Sequence, residues 1–442
     1  MKKLLILILL LVPITAHAEP EISIQTWQEY INLNATGKTS EILIQGKISN
    51  LGPSQVMTSF SIPFDPKQNI KITKVLCDNK IAEYSFQGDS LNIKFPKEKS
   101  NDQIMDIYFI YEEKYDKISK FLRQESIDIP PFAAGANAKV IVNFPNYLES
   151  ITLNPNITKG NNSFTYGNIV PKDGVRERIK LTPIQKAWDI SIQVKIIADK
   201  NLNDLTVILP PYFYNGGRKV TNSSIKSSIE PAQDGILKNS RIFKFKTDQR
   251  EILIENKAKI YTGKNNRAKI NRDPIDYTKF TREEKLLLLP ILEQIKRNPK
   301  YGSLPLYAKI GKFVHEFITY DIGYIGKLPK IEEILKNPIG VCTEYANLYN
   351  SLARIAGIPA IIIDGAACGE EDDKCQGHSW NMIYYNNDWI EVDPTWDLMS
   401  GVVSSSHIYF NDNEEGNIST MYFGNSNIIN SKMNFEMKES SL

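Results

Sequence analysis

In the stretch NPIGVCTEYANLYN, residues 337–350, Cys342 follows a Pro/Gly turn at the point where a helix begins. No neighbouring cysteine stands ready to pair with it. A thiol at a helix N-terminus meets unpaired backbone N–H groups and the positive end of the helix dipole. That setting favours thiolate, and the same N–H groups can receive an oxyanion. The alternative is a buried structural cysteine, a common core residue. Downstream, GHSWNMIYYNNDWIEVDPTWD, residues 377–397, offers an imidazole and a carboxylate. It reads as a β-hairpin with strands over 380–385 and 389–393 around a type I′ turn at Asn386-Asn387. If those asparagines form the turn, Asp393 falls opposite Trp380 on the face that carries His378. The two are then diagonal neighbours within side-chain reach; another register would separate them. An imidazole beside a thiol takes its proton and later protonates a leaving amine. A carboxylate behind the ring holds its tautomer and orientation.

These residues need elements to position them. The periodicity predicts a helix over 343–356, with Ala346, Tyr349, Ala353 and Ala356 on one apolar stripe and Tyr345, Leu348, Leu352 and Ile355 on the next. So broad an apolar surface belongs to a helix buried inside its domain. Gly357 and then Pro359 are its expected stop. Upstream, Thr281-Arg282-Glu283-Glu284 is a capping box ahead of LLLL. Ser303 and Pro305 open a further helix, with Leu306, Ile310, Phe313, Val314 and Phe317 at helical spacing. His315 is read as a surface or satisfied histidine, because it stands apart from other polar residues.

The lines GVCTEYANLYNSLARIAGIPA and GHSWNMIYYNNDWIEVDPTW, with FVHEFITYD upstream, resemble the core of the transglutaminase-like superfamily, a papain-like cysteine fold. The resemblance covers about residues 305–410 and joins separated motifs in order; SSSHIYF has a counterpart in such domains, and the β-modules upstream are weakly similar to those of bacterial members. It implies that Cys342 is the nucleophile, His378 the base and Asp393 the third member, acting by acyl transfer through a thioester. Water as acceptor gives a peptidase or amidase, and a lysine amine gives cross-linking. Ser379 replaces the alanine more usual after the histidine, with no consequence expected. A second oxyanion donor beside the Cys342 N–H is needed. Tyr320 of ITYD is conceivable, but an aromatic there is expected in the core.

Cys368 and Cys375 flank GEEDDK just before His378, and in an oxidising compartment they are expected to pair. The rival is a metal site of Cys368, Cys375 and His378, which lacks a usual zinc spacing and would consume the histidine. Cys77 reads as a small buried hydrophobe, with a Cys77–Cys342 disulfide as the structural alternative to catalysis. The acidic run at 370–373 is read as a solvated loop tip ahead of a calcium site. Trp389 and Trp396 are expected to pack around the hairpin, where one could wall a cleft. His407 is too far along the chain to place. No cofactor or metal is expected.

The N-terminus sets the compartment. Met1-Lys2-Lys3, the apolar run 4–14 and Ala16-His17-Ala18 form a signal peptide at 1–18, so the chain is expected to be exported, periplasmic or extracellular, without a later membrane span. Removing Lys2 and Lys3 from 53 basic residues balances the 51 acidic ones, so no electrostatic grip on nucleic acid or an anionic membrane is indicated. At 42% hydrophobic the chain can bury cores without a disulfide framework. From residue 19 to 261 it alternates short β-like runs, such as SEILIQGKI and WDISIQVKII, with polar turns. The expected organisation is α+β: a β-sandwich-like module over 19–118, one or two more over 119–262, a linker at 263–276 and the catalytic domain over 277–442. The function favoured is an exported cysteine acyl-transfer enzyme acting on protein or peptide amides, hydrolysis ahead of cross-linking. A binding or scaffold protein built on the β-modules is the alternative.

Overall fold

A computed structural model of the chain describes residues 21–63, 69–115, 119–199, 203–209, 219–237, 240–264, 273–327, 329–369, 374–411, 421–423 and 428–442. The segment 1–18 expected to be a signal peptide and the 370–373 acidic run lie outside the described residues, as does most of the expected linker, at 265–272. Among the described residues no helix is long and apolar enough to cross a membrane. The β-rich N-terminal part and the mixed C-terminal part together give an α+β chain, as expected. The chain divides into two units, each described by itself: residues 21–115, 127–144 and 157–176 form the first, and the remaining described residues form the second.

The first unit follows from period-two patterning. Its eight-stranded sheet includes the long strands Glu21–Leu33, Gly37–Ser49 and Ile104–Lys114, with Asn137–Asn143 running parallel to the first. Alternate residues point inward, as Ile42, Ile44 and Ile48 do on the second strand and Met105, Ile107 and Phe109 on the third. A second sheet contains Met57–Pro63 and Ser90–Lys99. Phe132 lies edge-on to Trp27 of the large sheet and Phe60 of the small one, so the two sheets share a core. Cys77 is buried there, as expected.

The second unit begins with another pair of sheets. In one, Gln185–Ala198 lies between Glu251–Gly263 and the C-terminal strand Ile428–Ser440. Trp188, Ile190, Ile192, Val194 and Ile196 alternate into a core shared with Phe243 and Phe245 of the other. The same core extends to Cys368, Ile408 and Phe410, so this sandwich backs directly onto the sheet that carries the candidate site.

That site is built by four helices and a four-stranded antiparallel sheet. The helices are α1 (Arg282–Arg297), α2 (Leu306–Phe317), α3 (Ile331–Lys336) and α4 (Cys342–Ile355). The strands are β1 (Ala360–Cys368), β2 (Cys375–Tyr385), β3 (Asp388–Val392) and β4 (Ile408–Asn411), in the order β3-β2-β1-β4. The Thr281–Glu284 capping box forms in both directions at the start of α1. Helix α4 is buried on the two stripes read from the sequence. It ends in a Schellman motif, with Gly357 at φ 78° and the N–H groups of Gly357 and Ile358 returning to Arg354 and Ala353. The Cys368–Cys375 disulfide is present and joins directly opposed residues of β1 and β2.

Candidate active site

Cys342 is the first residue of α4, where backbone N–H groups lack intrahelical partners. Its thiol is free, as is that of Cys77, so neither a Cys77–Cys342 disulfide nor a Cys368, Cys375 and His378 metal site forms. Glu344, in the first turn, accepts the Val341 N–H at 2.7 Å and holds the chain's entry into the helix. Gly340 makes that possible: a Cβ there would stand 2.5 Å from the Glu344 side chain.

His378 and Asp393 come from the hairpin. Asn386 and Asn387 both adopt positive φ and form the turn, and Asn381 lies opposite Val392. The pairing stops there, and Asp393 bridges Leu398 rather than Trp380. His378 Nε2 still lies 3.0 Å from Asp393 Oδ2. Asp393 Oδ1 accepts the Thr395 N–H at 2.8 Å. With Nε2 committed to the carboxylate, Nδ1 is the ring nitrogen left over, and His378 acts on the neighbouring Cys342 thiol.

The electrostatics follow from these contacts. Burial alone would push the Cys342 thiol up, but the hydrogen bond and charge of His378, with the Ser379 N–H, bring it below its ordinary value. Burial would likewise suppress imidazolium at His378. The charge and hydrogen bond of Asp393, then those of Cys342, outweigh it and raise the ring to about 10. Despite complete burial, Asp393 is held well below the usual carboxylate range by its two histidine partners. The arrangement favours a thiolate–imidazolium pair backed by a carboxylate.

Surrounding side chains lock the geometry. The Trp396 ring stacks on His378 at 4.6 Å and 13°, covering one imidazole face. Of the two tryptophans expected around the hairpin, Trp389 packs edge-on to Tyr277, whereas Trp396 walls the site. His315 is satisfied: its Nδ1 lies 3.1 and 3.2 Å from the carbonyl oxygens of Pro394 and Thr395, tying α2 to the loop after Asp393.

Two expectations need correction. Tyr320 is not a core residue but 44% exposed. Its two-residue strand Thr319–Tyr320 pairs with Ile339–Gly340 immediately before Cys342, which leaves the ring at the rim of the site. Burial of part of the ring, then the neighbouring Cys342 and Asp393 charges, raise its hydroxyl to about 12, so it stays a neutral donor. Ser379 is not without consequence. Its Oγ donates at 2.8 Å to Oδ1 of Asp364, a carboxylate buried on β1 whose other oxygen has no partner.

His407, left unplaced by sequence, lies immediately before β4 with its Nε2 3.2 Å from the Asp393 Oδ2 that His378 also uses. Only its place in a serine-rich run just ahead of a β-like segment hinted at a positioned side chain. His378, Asp393 and His407 bring ligand-type atoms within 4.8 Å of one another. At 3.0 and 3.2 Å the two ring nitrogens are at hydrogen-bond distance from one oxygen, an arrangement that uses a proton on each, and no residue here is assigned to a metal.

Residues 293–394 match the family described as the transglutaminase-like superfamily. Among solved structures, the chain is similar to a candidate cysteine protease from Cytophaga hutchinsonii, with 14% identity, a TM-score of 0.42, and coverage of 58% of this chain and 93% of that one. It is also similar to an M1 zinc metallopeptidase from Deinococcus radiodurans, with 9% identity, a TM-score of 0.26, and coverage of 38% of this chain and 43% of that one. Native leukotriene A4 hydrolase from Saccharomyces cerevisiae matches with 9% identity, a TM-score of 0.26, and coverage of 38% and 30%. The chain thus spans less than half the length of each of these last two. No curated protein matches it. The matched segment holds Cys342, His378 and Asp393 on the elements described above, and residues 293–394 are a transglutaminase-like domain.

Proposed function

We propose that the protein is an exported cysteine-dependent acyl-transfer enzyme that attacks protein or peptide amide bonds, with water as the usual acceptor. One observation carries the reading: the free Cys342 thiol stands at a helix N-terminus, the neighbouring His378 holds it below its ordinary value, and that imidazole lies 3.0 Å from a buried carboxylate. The Cys342 thiolate attacks the amide carbonyl, and the oxyanion is received by the Cys342 backbone N–H. Tyr320, a neutral hydroxyl at the rim, is the candidate second donor. The His378 imidazolium protonates the leaving amine, which departs as the thioester forms. The neutral ring then takes a proton from water, which attacks the thioester carbonyl, releases the acid and returns the proton to sulfur. Asp393 keeps the ring oriented throughout.

Hydrolysis is favoured over cross-linking because no acceptor-lysine site is evident and water is abundant outside the cell. Export rests on the N-terminal signal pattern and accords with the Cys368–Cys375 disulfide. The test is peptide and protein substrate profiling of wild type against Cys342→Ala, run with and without a fluorescent primary amine. New carboxyl termini or released ammonia that vanish in Cys342→Ala support hydrolysis. Amine incorporation that vanishes in Cys342→Ala would replace hydrolysis by cross-linking, and equal products from both proteins would remove the enzyme reading.

A further inference from the structure

One imidazole behind a thiol needs one carboxylate, yet Oδ2 of Asp393 serves two imidazoles. The second, His407, is fully buried and lies beyond the matched residues 293–394. Its hydrogen bonds have a direction. The Cys368 N–H donates to Ser406 Oγ at 3.1 Å; Ser406 Oγ is 2.8 Å from Ser404 Oγ, which lies 2.9 Å from His407 Nδ1. Asp393, an ionised carboxylate, can only accept, so the ring's one proton sits on Nε2 and Nδ1 accepts from the Ser404 hydroxyl; the Ser406 hydroxyl is within reach of both Ser404 Oγ and, at 3.4 Å, the Cys368 carbonyl. Burial keeps the ring neutral, pushing it below its ordinary value against the pull of Asp393.

The loop that carries His407 is itself clamped by the adjoining sandwich. Ser405 donates its N–H to Thr182 Oγ1 at 2.8 Å, and its carbonyl accepts Trp188 Nε1–H at 3.0 Å and Thr262 Oγ1–H at 2.5 Å. The charged or titratable groups facing His407 are Asp393, His378 and Glu391. Trp380 and Trp396 meet its ring edge-on at 5.0 and 5.1 Å. The loop that carries this imidazole is therefore held by the sandwich in addition to the contacts within the site.

We propose that His407 is a positioning residue: its Nε2–H takes a share of the Asp393 charge and so keeps His378 able to release its proton. This rests on the acyl-transfer reading above. A buried carboxylate with a single imidazolium partner would bind that proton harder, and a base that cannot give up its proton cannot serve the leaving amine. Supplying a second N–H to the same oxygen spreads the charge without changing the net charge of the site.

The test is an NMR titration of the His378 ring in the full chain, labelled with 15N-histidine, of which the sequence holds only four. In His407→Asn the amide occupies the Nδ1 position and the donor to Asp393 is lost; in His407→Gln an amide nitrogen occupies the Nε2 position. The expected result is a His378 imidazolium about tenfold weaker as an acid in His407→Asn, with most of the change reversed in His407→Gln. Should His407→Asn not fold, Ser404→Ala keeps the ring and frees its tautomer, and a smaller change in the same direction is expected. A folded His407→Asn with an unchanged His378 titration overturns the proposal. So does a His407→Gln no closer to wild type than His407→Asn, or, where Asn does not fold, an unchanged Ser404→Ala. Iodoacetamide reactivity of Cys342, read separately by peptide mass spectrometry, tells failure of this proposal apart from failure of the catalytic reading.

Discussion

Two free thiols in this chain are pushed in opposite directions by their surroundings. Cys77 is fully buried, and burial followed by the Asp78 charge raises it to about 11, whereas His378 brings Cys342 down. The placement of the three candidate residues was legible where each stood on a local pattern: Cys342 at a helix start, His378 on a hairpin strand and Asp393 just past the partner strand, around an asparagine turn. Asp393→Asn, which leaves the volume but removes the charge, is expected to lower kcat about a hundredfold or more in a peptide-hydrolysis assay. Asp364 and His407 were not legible, because β1 and β4 are brought beside the hairpin by pairings no local pattern states. Asp364 is 1% exposed, and burial, only partly offset by the Ser379 hydrogen bond, raises it to about 6. A carboxyl raised on folding binds its proton more tightly in the folded state, so its contribution to stability declines as pH rises from about 4 to about 6. Asp364→Asn is therefore expected to be more stable than wild type at pH 7, by up to about 3 kcal/mol, with the gap closing below pH 4. Denaturant melts of both proteins across that range check it.

The elements most readable from sequence were those with both a period and a stop signal. Helix α4 carried two apolar stripes and ended at Gly357, and the hairpin carried Asn386-Asn387. Tyr320 was misread because its apolar context suggests a core, while only the pairing of residues 319–320 with 339–340 puts it at the rim. Close approaches within the sheet were invisible. Gly365 lies opposite His378, and a Cβ there would stand 2.0 Å from the Ile408 carbonyl oxygen and 2.6 Å from the Trp380 ring. Gly365→Ala is expected to pry β4 from β1, costing about 2–3 kcal/mol and displacing His407; thermal melts and Cys342 alkylation rates read both effects. The Cys368–Cys375 bridge closes a short loop directly ahead of His378. Its reduction should lower stability by about 2.5 kcal/mol, measured as the change in denaturant midpoint on mutating both cysteines to serine.

At the scale of the molecule, alternating β runs were enough to announce sandwiches ahead of a helical, cysteine-bearing part, but not which strands meet. The final strand, Ile428–Ser440, follows the site in sequence yet pairs with Gln185–Ala198, a separation at which neither period nor turn chemistry gives a partner. The same sandwich clamps the Ser404–His407 loop through Thr182, Trp188 and Thr262, so in the second unit the β-sandwich supports the sheet of the candidate site. The measurement that bears most directly on the proposed chemistry is the rate of Cys342 alkylation by iodoacetamide from pH 4 to 9, resolved by peptide mass spectrometry against Cys77. A thiolate held by imidazolium predicts rapid, selective labelling of Cys342 that persists well below pH 8 and collapses to ordinary thiol behaviour in His378→Ala. A Cys342 that labels only as pH rises past about 8.5, with or without His378, would contradict it.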